Sequence, residues 1–287
     1  MNADNVLAMR FEEHRSHLRA VAYRMLGSLI EADDALQMAW LKAAGADTGA
    51  VENAAGWLTT VVSRVCLDML RSRESRREDS LDEHGAGFAT RIGTDPEEEA
   101  LLADSVGMAL LVVLDKLSPT ERIAFVLHDL FAVPFADIAP ILDRSPETTQ
   151  RIASRARGRV RGNSGTGGDD RMRRYRAVEA FLRAAQNGEF EALLAMLDPD
   201  ATYRTDEAAR LLGAGIDLDG GRVLAENFCG KAHIARAIML DGEPGLILAP
   251  RGTLMLVMTI RFAGDRIAGI TAVANEDRLS AMELTVP

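Results

Sequence analysis

Five arginines, Arg151, Arg155, Arg157, Arg159 and Arg161, fall within SPETTQRIASRARGRVRG at 145–162 of a 287-residue chain whose formal net charge is −10. Guanidinium groups gathered this densely suit phosphate, because each keeps its charge and presents a planar fork of N–H donors. Projected on a helix at about 100° per residue, Ile152, Ala153, Ala156 and Val160 form one narrow apolar stripe, which the arginines flank. Arg151, Arg155 and Arg159 repeat at i, i+4, a spacing at which like charges repel until a polyanion lies over them. A merely solvated helix face would mix signs at that spacing. The chemistry expected is contact with a nucleic-acid backbone, made by a local basic face on an acidic protein.

The residue types that serve metals and cofactors are not gathered in this way. His14 and His17 have helical i, i+3 spacing but no carboxylate or cysteine set beside them, and His84 and His128 stand alone. Cys66 and Cys229 are too few for a disulfide framework and too far apart for a metal knuckle. There is no glycine-rich phosphate loop. No metal and no cofactor is expected.

The basic segment needs elements to hold it. Ser118-Pro119-Thr120-Glu121 places a capping oxygen, a proline at N1 and a glutamate at N3, and Asp95-Pro96-Glu97-Glu98 does the same. Ser145-Pro146-Glu147 repeats the first part of that signal. The segment 95–160 therefore reads as four helices, at about 97–116, 119–130, 135–142 and 146–161, counted from these caps. Only Asp143-Arg144-Ser145 separates the last two, the dimensions of a helix-turn-helix.

Upstream, residues 1–77 read as wholly helical. Leu18, Val21, Ala22 and Met25 recur at helical spacing up to Gly27-Ser28; Ser28 with Glu31 has the form of a capping box; Asn53 starts a third helix with Leu58, Val61, Val62, Val65 and Met69 on one face. Residues 78–94 show no period and read as a connector, and RGNSGTGGDD at 161–170 as a linker. Beyond it come two helices, RMRRYRAVEAFLRAAQNG and EFEALLAMLD. Strand-like ATYRT, RVLAENF, GLILAP, TLMLVMTIRF and RIAGITAVA follow, with AHIARAIML as a helix among them. Two helices and a curved antiparallel sheet make an α+β domain able to enclose a pocket.

With 47% hydrophobic residues the chain can bury sizeable cores. The longest apolar runs, ALLVVL at 109–114 and TLMLVMTI at 253–260, are too short to span a bilayer, and the N-terminus has no signal pattern. A cytoplasmic protein without a membrane partner is expected.

Several segments carry a specific resemblance. HLRAVAYRMLGSLIEADDALQMAW and GWLTTVVSRVCLDMLRS resemble region 2 of the extracytoplasmic-function (ECF) sigma factors of bacterial RNA polymerase. LSPTERIAFVLHDLFAVPFADIAPIL with SPETTQRIASRARGRV is similar to their region 4, and the segment from RYRAVEAFLRAAQNGEFEALLAMLDPDA onward resembles SnoaL-like domains of cone-shaped α+β fold. This order is that of the SigJ-type subgroup. The resemblance implies an all-α region 2 at 1–77, an all-α helix-turn-helix region 4 at 95–162 and a SnoaL-like regulatory domain at 171–287. It implies as partners core RNA polymerase, through the β′ clamp helices and the β flap, and promoter DNA.

Carried over by position, Asp33, Asp34, Gln37 and Trp40 match the helix that docks on the clamp helices. A row of acids and an amide suits a partner rich in Arg and Lys. Thr60, Arg64 and Arg71 match the part that opens and reads the −10 element. In the helix 146–161, matching the reader of the −35 element, Glu147, Thr148, Gln150 and Arg151 are placed for base edges and Arg155, Arg157 and Arg159 for phosphate. Asp219-Gly220-Gly221-Arg222 stands where the subgroup has a longer glycine motif implicated in regulatory contact, and Asn275-Glu276-Asp277-Arg278-Leu279 matches its terminal segment.

The chain also departs from the family. Met38 stands where family members usually carry an acid, Pro140 sits inside the first helix of the helix-turn-helix, and the connector has DEHGAGFATRIGTDP in place of a Trp-Leu-Pro-Glu-Pro segment. Two alternatives stay open: a degenerate sigma-like regulator that no longer binds polymerase, on the grounds of Met38 and Pro140, and an enzyme whose C-terminal pocket takes a small ligand. Cone folds hold a carboxylate base in an apolar pocket for proton abstraction. The candidates here, Tyr203, Asp206, Asp219, Glu226 and His233, form no tight constellation, so no enzyme is expected.

Overall fold

The computed structural model describes residues 3–46, 53–80, 105–162 and 168–287. The expected connector beyond residue 80, the expected helix start before 105 and linker residues 163–167 lie outside them. The described residues fall into two compact units. The first contains the three N-terminal helices with Leu114–Arg157; the second takes the preceding residues up to Val113 together with Gly158–Pro287.

In the first unit α1 (Ala3–Leu26), α2 (Leu29–Ala44) and α3 (Ala54–Ser80) pack around Leu18, Val21, Met25, Leu29, Leu36, Leu58 and Val62, all at most 2% exposed. Local chemistry sets the boundaries. Gly27, at φ +76°, ends α1 in a conformation that favours glycine, and the Ser28 hydroxyl accepts the Glu31 N–H to begin α2. The Glu31 carboxylate does not close a reciprocal box; it pairs with Arg73 of α3. Asn53 caps α3 by accepting the Gly56 N–H at 3.0 Å.

After α4 (Ser105–Asp115), Ser118 and Glu121 form a complete capping box, with Pro119 at the first position of α5 (Pro119–Phe125). A π-helical turn, Val126–Leu130, continues it, so the helix expected over 119–130 is present with a looser last turn. Next come α6 (Phe135–Leu142), which runs on through Pro140, and α7 (Pro146–Arg161).

The second unit packs α8 (Gly168–Asn187), α9 (Phe190–Met196) and α11 (Gly221–Phe228) on a seven-stranded sheet. Its strands are β1 (Leu197–Thr205), β2 (Leu218–Asp219), β3 (Ala235–Leu240), β4 (Glu243–Leu248), β5 (Leu256–Ala263), β6 (Arg266–Val273) and β7 (Leu284–Thr285), in the order β2-β1-β6-β5-β4-β3-β7. Short α10 (Glu207–Leu211) follows β1, and α12 (Glu276–Ala281) follows β6. The sheet is not wholly antiparallel as expected: β1 and β6 run parallel. Phe181, Tyr203 and Phe228 meet edge to face in the core, with Phe228 5.5 Å from each of the other rings.

Two assignments are exchanged relative to expectation. RVLAENF is the helix α11, not a strand, because Leu224, Ala225 and Phe228 bury one face at i, i+1, i+4. AHIARAIML is not a helix; its latter part is β3. Asp241 (φ +50°) and Gly242 (φ +81°) form the two-residue turn that returns the chain into β4, with Leu240 opposite Glu243. Both central residues at positive φ match the twist of a hairpin, which Asp-Gly favours. The hairpin expected at Ala263-Gly264-Asp265 is present, with Ala263 opposite Arg266 and Gly264 at φ +59°.

Candidate nucleic-acid and polymerase interfaces

Three residues turn the chain from α6 into α7. Asp143 ends α6 at φ +54°, a left-handed conformation that Asp tolerates, and the Arg144 N–H closes the turn on the Ala139 carbonyl at 3.1 Å. The Ser145 hydroxyl then accepts the Thr148 N–H at 3.2 Å and starts α7. The apolar stripe is where the spacing put it: Ala153, Ala156 and Val160 are buried, Ile152 partly so, and Thr149 joins them.

Glu147, Gln150, Arg151, Ser154, Arg155 and Arg159 are exposed along the outer face of α7. Thr148 is half-buried, its hydroxyl 3.1 Å from that of Ser145. Its own backbone N–H, then the Ser145 hydroxyl, with Arg151 adding a smaller pull, hold the Glu147 carboxyl below the ordinary range. It is therefore anionic at neutral pH, suited to accept from a base-edge amino group and not to lie against phosphate.

Arg157 does something different from its neighbours. Its Nε and Nη2 donate to the two carboxylate oxygens of Asp129 at 2.6 and 3.2 Å, an interaction that raises the guanidinium pKa. This bidentate pair fastens α7 to the turn after α5 and fixes the direction in which the remaining arginines point.

On α3, Thr60, Arg64 and Arg71 lie within about 40° of one another around the helix. The Thr60 hydroxyl donates back to the Gly56 carbonyl, Arg71 is exposed, and Arg64 Nη2 donates to the Pro140 carbonyl of α6 at 3.0 Å.

A groove of about 590 Å³ runs between α1 and α2, lined by residues that include Phe11, Arg15, Arg19, Asp33, Gln37 and Trp40. Trp40 meets Phe11 edge to face at 5.3 Å, and Arg19 grips Asp33 with two bonds of 2.8 and 2.9 Å. Three of the four residues expected to face polymerase thus share one surface. Asp34 is exposed about a quarter-turn away, outside the groove lining. Met38 lies about 140° from Asp33 around the helix. It borders a different groove, between α2 and α3, with Val65 and Met69.

In the second unit Asp219-Gly220-Gly221-Arg222 forms the corner between β2 and α11. Asp219 accepts from Arg204 at 2.6 Å, the Gly220 N–H bonds to the Ala201 carbonyl, and a Cβ at Gly221 would collide with the Asp198 carbonyl oxygen. Arg222 is exposed over the Phe190 ring and pairs with Glu226. Asp206 accepts backbone N–H groups of Ala209, Ala274 and Asn275, so the start of α10 and the end of β6 hang on one carboxylate. Partial burial alone would raise its pKa, yet those three N–H groups hold it below the ordinary value. Asn275 in turn caps α12.

Tyr203 is buried with its hydroxyl donating to the Ala214 carbonyl at 2.7 Å; burial, with Asp217 adding to it, pushes its pKa up to about 12. His233 is exposed, its Nε2 3.1 Å from the Gly230 carbonyl. The five candidates for proton transfer thus have separate structural partners and are not brought together. Among the described residues no group of three or more His, Cys, Asp or Glu is arranged to hold a metal ion. Nor is any helix among them long and apolar enough to cross a membrane.

Sequence reasoning missed Arg19, Asp129 and Arg122. Their partners, Asp33, Arg157 and Asp115, follow from the fold alone. The charged pair in the apolar run PTERIAFVL was the one available signal, and Arg122 proves only 3% exposed.

Three helices with an aromatic groove lined by paired acids and arginines, and a helix-turn-helix with a basic outer face, are the two parts of a sigma factor. Residues 10–76 match Sigma-70 region 2 and residues 107–160 match Sigma-70, region 4. The chain belongs to the ECF RNA polymerase sigma factors. It is 28% identical over 284 residues, 98% of each chain, to the probable ECF RNA polymerase sigma factor SigI of Mycobacterium tuberculosis. It is 38% identical over 202 residues to the ECF RNA polymerase sigma factor SigJ of the same organism, spanning 68% of this chain and 64% of that one. The crystal structure of M. tuberculosis SigJ aligns over 95% of this chain and 98% of that one, at 26% identity and a TM-score of 0.42. The α+β second unit has the helices-on-sheet architecture that the SnoaL-like resemblance implies.

Proposed function

We propose that this sigma factor holds core RNA polymerase through the α1–α2 groove, reads the −10 element from α3 and the −35 element from α7, and is tuned by its α+β unit. The observation that carries the reading is the outer face of α7, where Arg151 and Arg155 remain exposed while every apolar residue of the stripe turns inward and Arg157 anchors the helix. Sigma-factor homologues are not enzymes. We extend that to the α+β unit, supported by the internal engagement of Tyr203 and Asp206. Its work is placed in the cytoplasm, where polymerase and promoter are.

The groove assignment predicts that Trp40→Ala weakens binding to core RNA polymerase at least about tenfold, the loss typical of a buried aromatic anchor. Fluorescence anisotropy of the labelled full-length chain titrated with core enzyme measures this. Wild-type binding with an unchanged Trp40→Ala affinity would move the polymerase site elsewhere.

A further inference from the structure

The outward line of α7 carries an acid, although the partner expected for that helix is a polyanion. Around the helix, at about 100° per residue, Glu147, Arg151 and Ser154 lie within about 60° of one another. They stand opposite Thr149, Ala153 and Ala156, which are buried, so they are the residues that enter a groove first. Arg155 is displaced a further turn of about 40° from Arg151, towards the wall of that groove, where phosphates run. Of the three on the line, Glu147 and Arg151 have the long side chains, while Ser154 ends at its hydroxyl.

Both long side chains are exposed, and their chemistry is opposite. The Glu147 carboxylate has two local partners, its own backbone N–H and the Ser145 hydroxyl, and is anionic at neutral pH. A carboxylate offers about four lone-pair sites, so acceptors remain for a partner from outside. It has no donor. Phosphate repels it, and guanine N7 and O6, thymine O4 and adenine N7 offer it only another acceptor. Cytosine alone presents an amino group in the major groove with no acceptor beside it on the same base. Arg151 reverses every sign: its guanidinium only donates, and guanine is the base with two acceptors and no donor there.

The spacing joins the two residues. Four residues of helix rise about 6 Å, which is less than two base-pair steps of about 3.4 Å each. Arg151 also lies close enough to pull the Glu147 carboxyl down, so the two charges act on each other before any DNA arrives.

Building on the reading of α7 as the −35 helix, we propose that Glu147 and Arg151 act as one reading pair, selecting a cytosine and a guanine at most about two base pairs apart. Glu147 works by exclusion as well as attraction, because duplex without that cytosine leaves a carboxylate facing acceptors and phosphates. On such duplex Arg151 turns to phosphate, which any sequence supplies.

Holoenzyme assembled from core RNA polymerase and the full-length chain is used to select duplexes from a randomised pool, and the bound DNA is sequenced. The upstream enriched element should contain a cytosine with a guanine close by. Each should be favoured at least about fivefold over other bases, the low end for one base contact. Glu147→Gln keeps the shape of the side chain but adds an amide donor, the group that pairs with adenine N6 and N7. It should move the preference from cytosine to adenine at that one position. Its affinity for unselected duplex should rise about twofold, because one repulsive charge is gone. Arg151→Ala should lose the guanine preference and keep the cytosine.

A Glu147→Gln profile with the wild-type base at every position overturns the reading pair and leaves α7 on DNA. So does an upstream element without cytosine. Failure to assemble holoenzyme contradicts the sigma reading instead. The same selection by the full-length chain alone then decides the pair, and an unshifted profile or no enriched element overturns it.

Discussion

The two units use their polar side chains in opposite ways. In the second, the groups that looked chemical are tied into the scaffold: Asp206 collects three backbone N–H groups, Tyr203 is bonded to a carbonyl under the sheet, and Asp219 holds Arg204. In the first, α7 buries its stripe, anchors itself through Arg157 and leaves Arg151 and Arg155 facing outward. Residue type alone does not separate a functional surface from a framework. Within α7 a partner supplied by the fold makes the distinction, setting Arg157 apart from Arg151 and Arg155.

The comparison can be broken at the second unit first, where the largest effect is expected. Gly221→Ala forces a methyl against the Asp198 carbonyl at the corner of β2 and α11. It should destabilise that unit by about 1–3 kcal/mol, the range for an overpacked buried site. Chemical denaturation followed at the second unit checks this; a loss below about 0.5 kcal/mol, the size of an ordinary surface change, would mean the corner is not built around the glycine.

A smaller effect sharpens the same contrast. Asp206 has a folded pKa below its unfolded value, so its contribution is present above the unfolded pKa, near 3.9, and disappears as pH falls through the folded one. Asp206→Asn keeps a capping oxygen but removes the charge. The variant should be less stable by about 1 kcal/mol at pH 7 and converge on wild type as the pH falls below about 4. Parallel stability curves across that range would show that the carboxylate charge does not matter.

Much of the first unit was legible because its signals are local. Ser118-Pro119-Thr120-Glu121 marks a helix start without help from distant residues, and the stripe through Ala153 and Ala156 needs one helix to be recognised. The second unit was misread where local signals are weak. RVLAENF is only seven residues, too short for its period to decide between helix and strand, and AHIARAIML is apolar enough for either. Asp241-Gly242 was the deciding signal between two apolar runs. The parallel pairing of β1 with β6 and the ion pairs Arg19–Asp33 and Arg157–Asp129 join residues far apart in the chain, and no short-range pattern announces them. For the same reason sequence proximity grouped Arg157 with the phosphate-facing arginines, whereas the fold gives it Asp129.

The most direct test of the account is the salt dependence of full-length protein binding to a mixed-sequence DNA duplex, because phosphate contact is independent of sequence. Wild type is compared with Arg151→Ala/Arg155→Ala and with Arg157→Ala. Each lost phosphate contact should flatten the slope of log affinity against log salt by about 0.9, so the double variant should fall by about 1.8. Arg157→Ala, which removes an anchor instead of a contact, should keep the wild-type slope. A double variant with the wild-type slope would contradict the assignment of α7 as the helix that meets DNA.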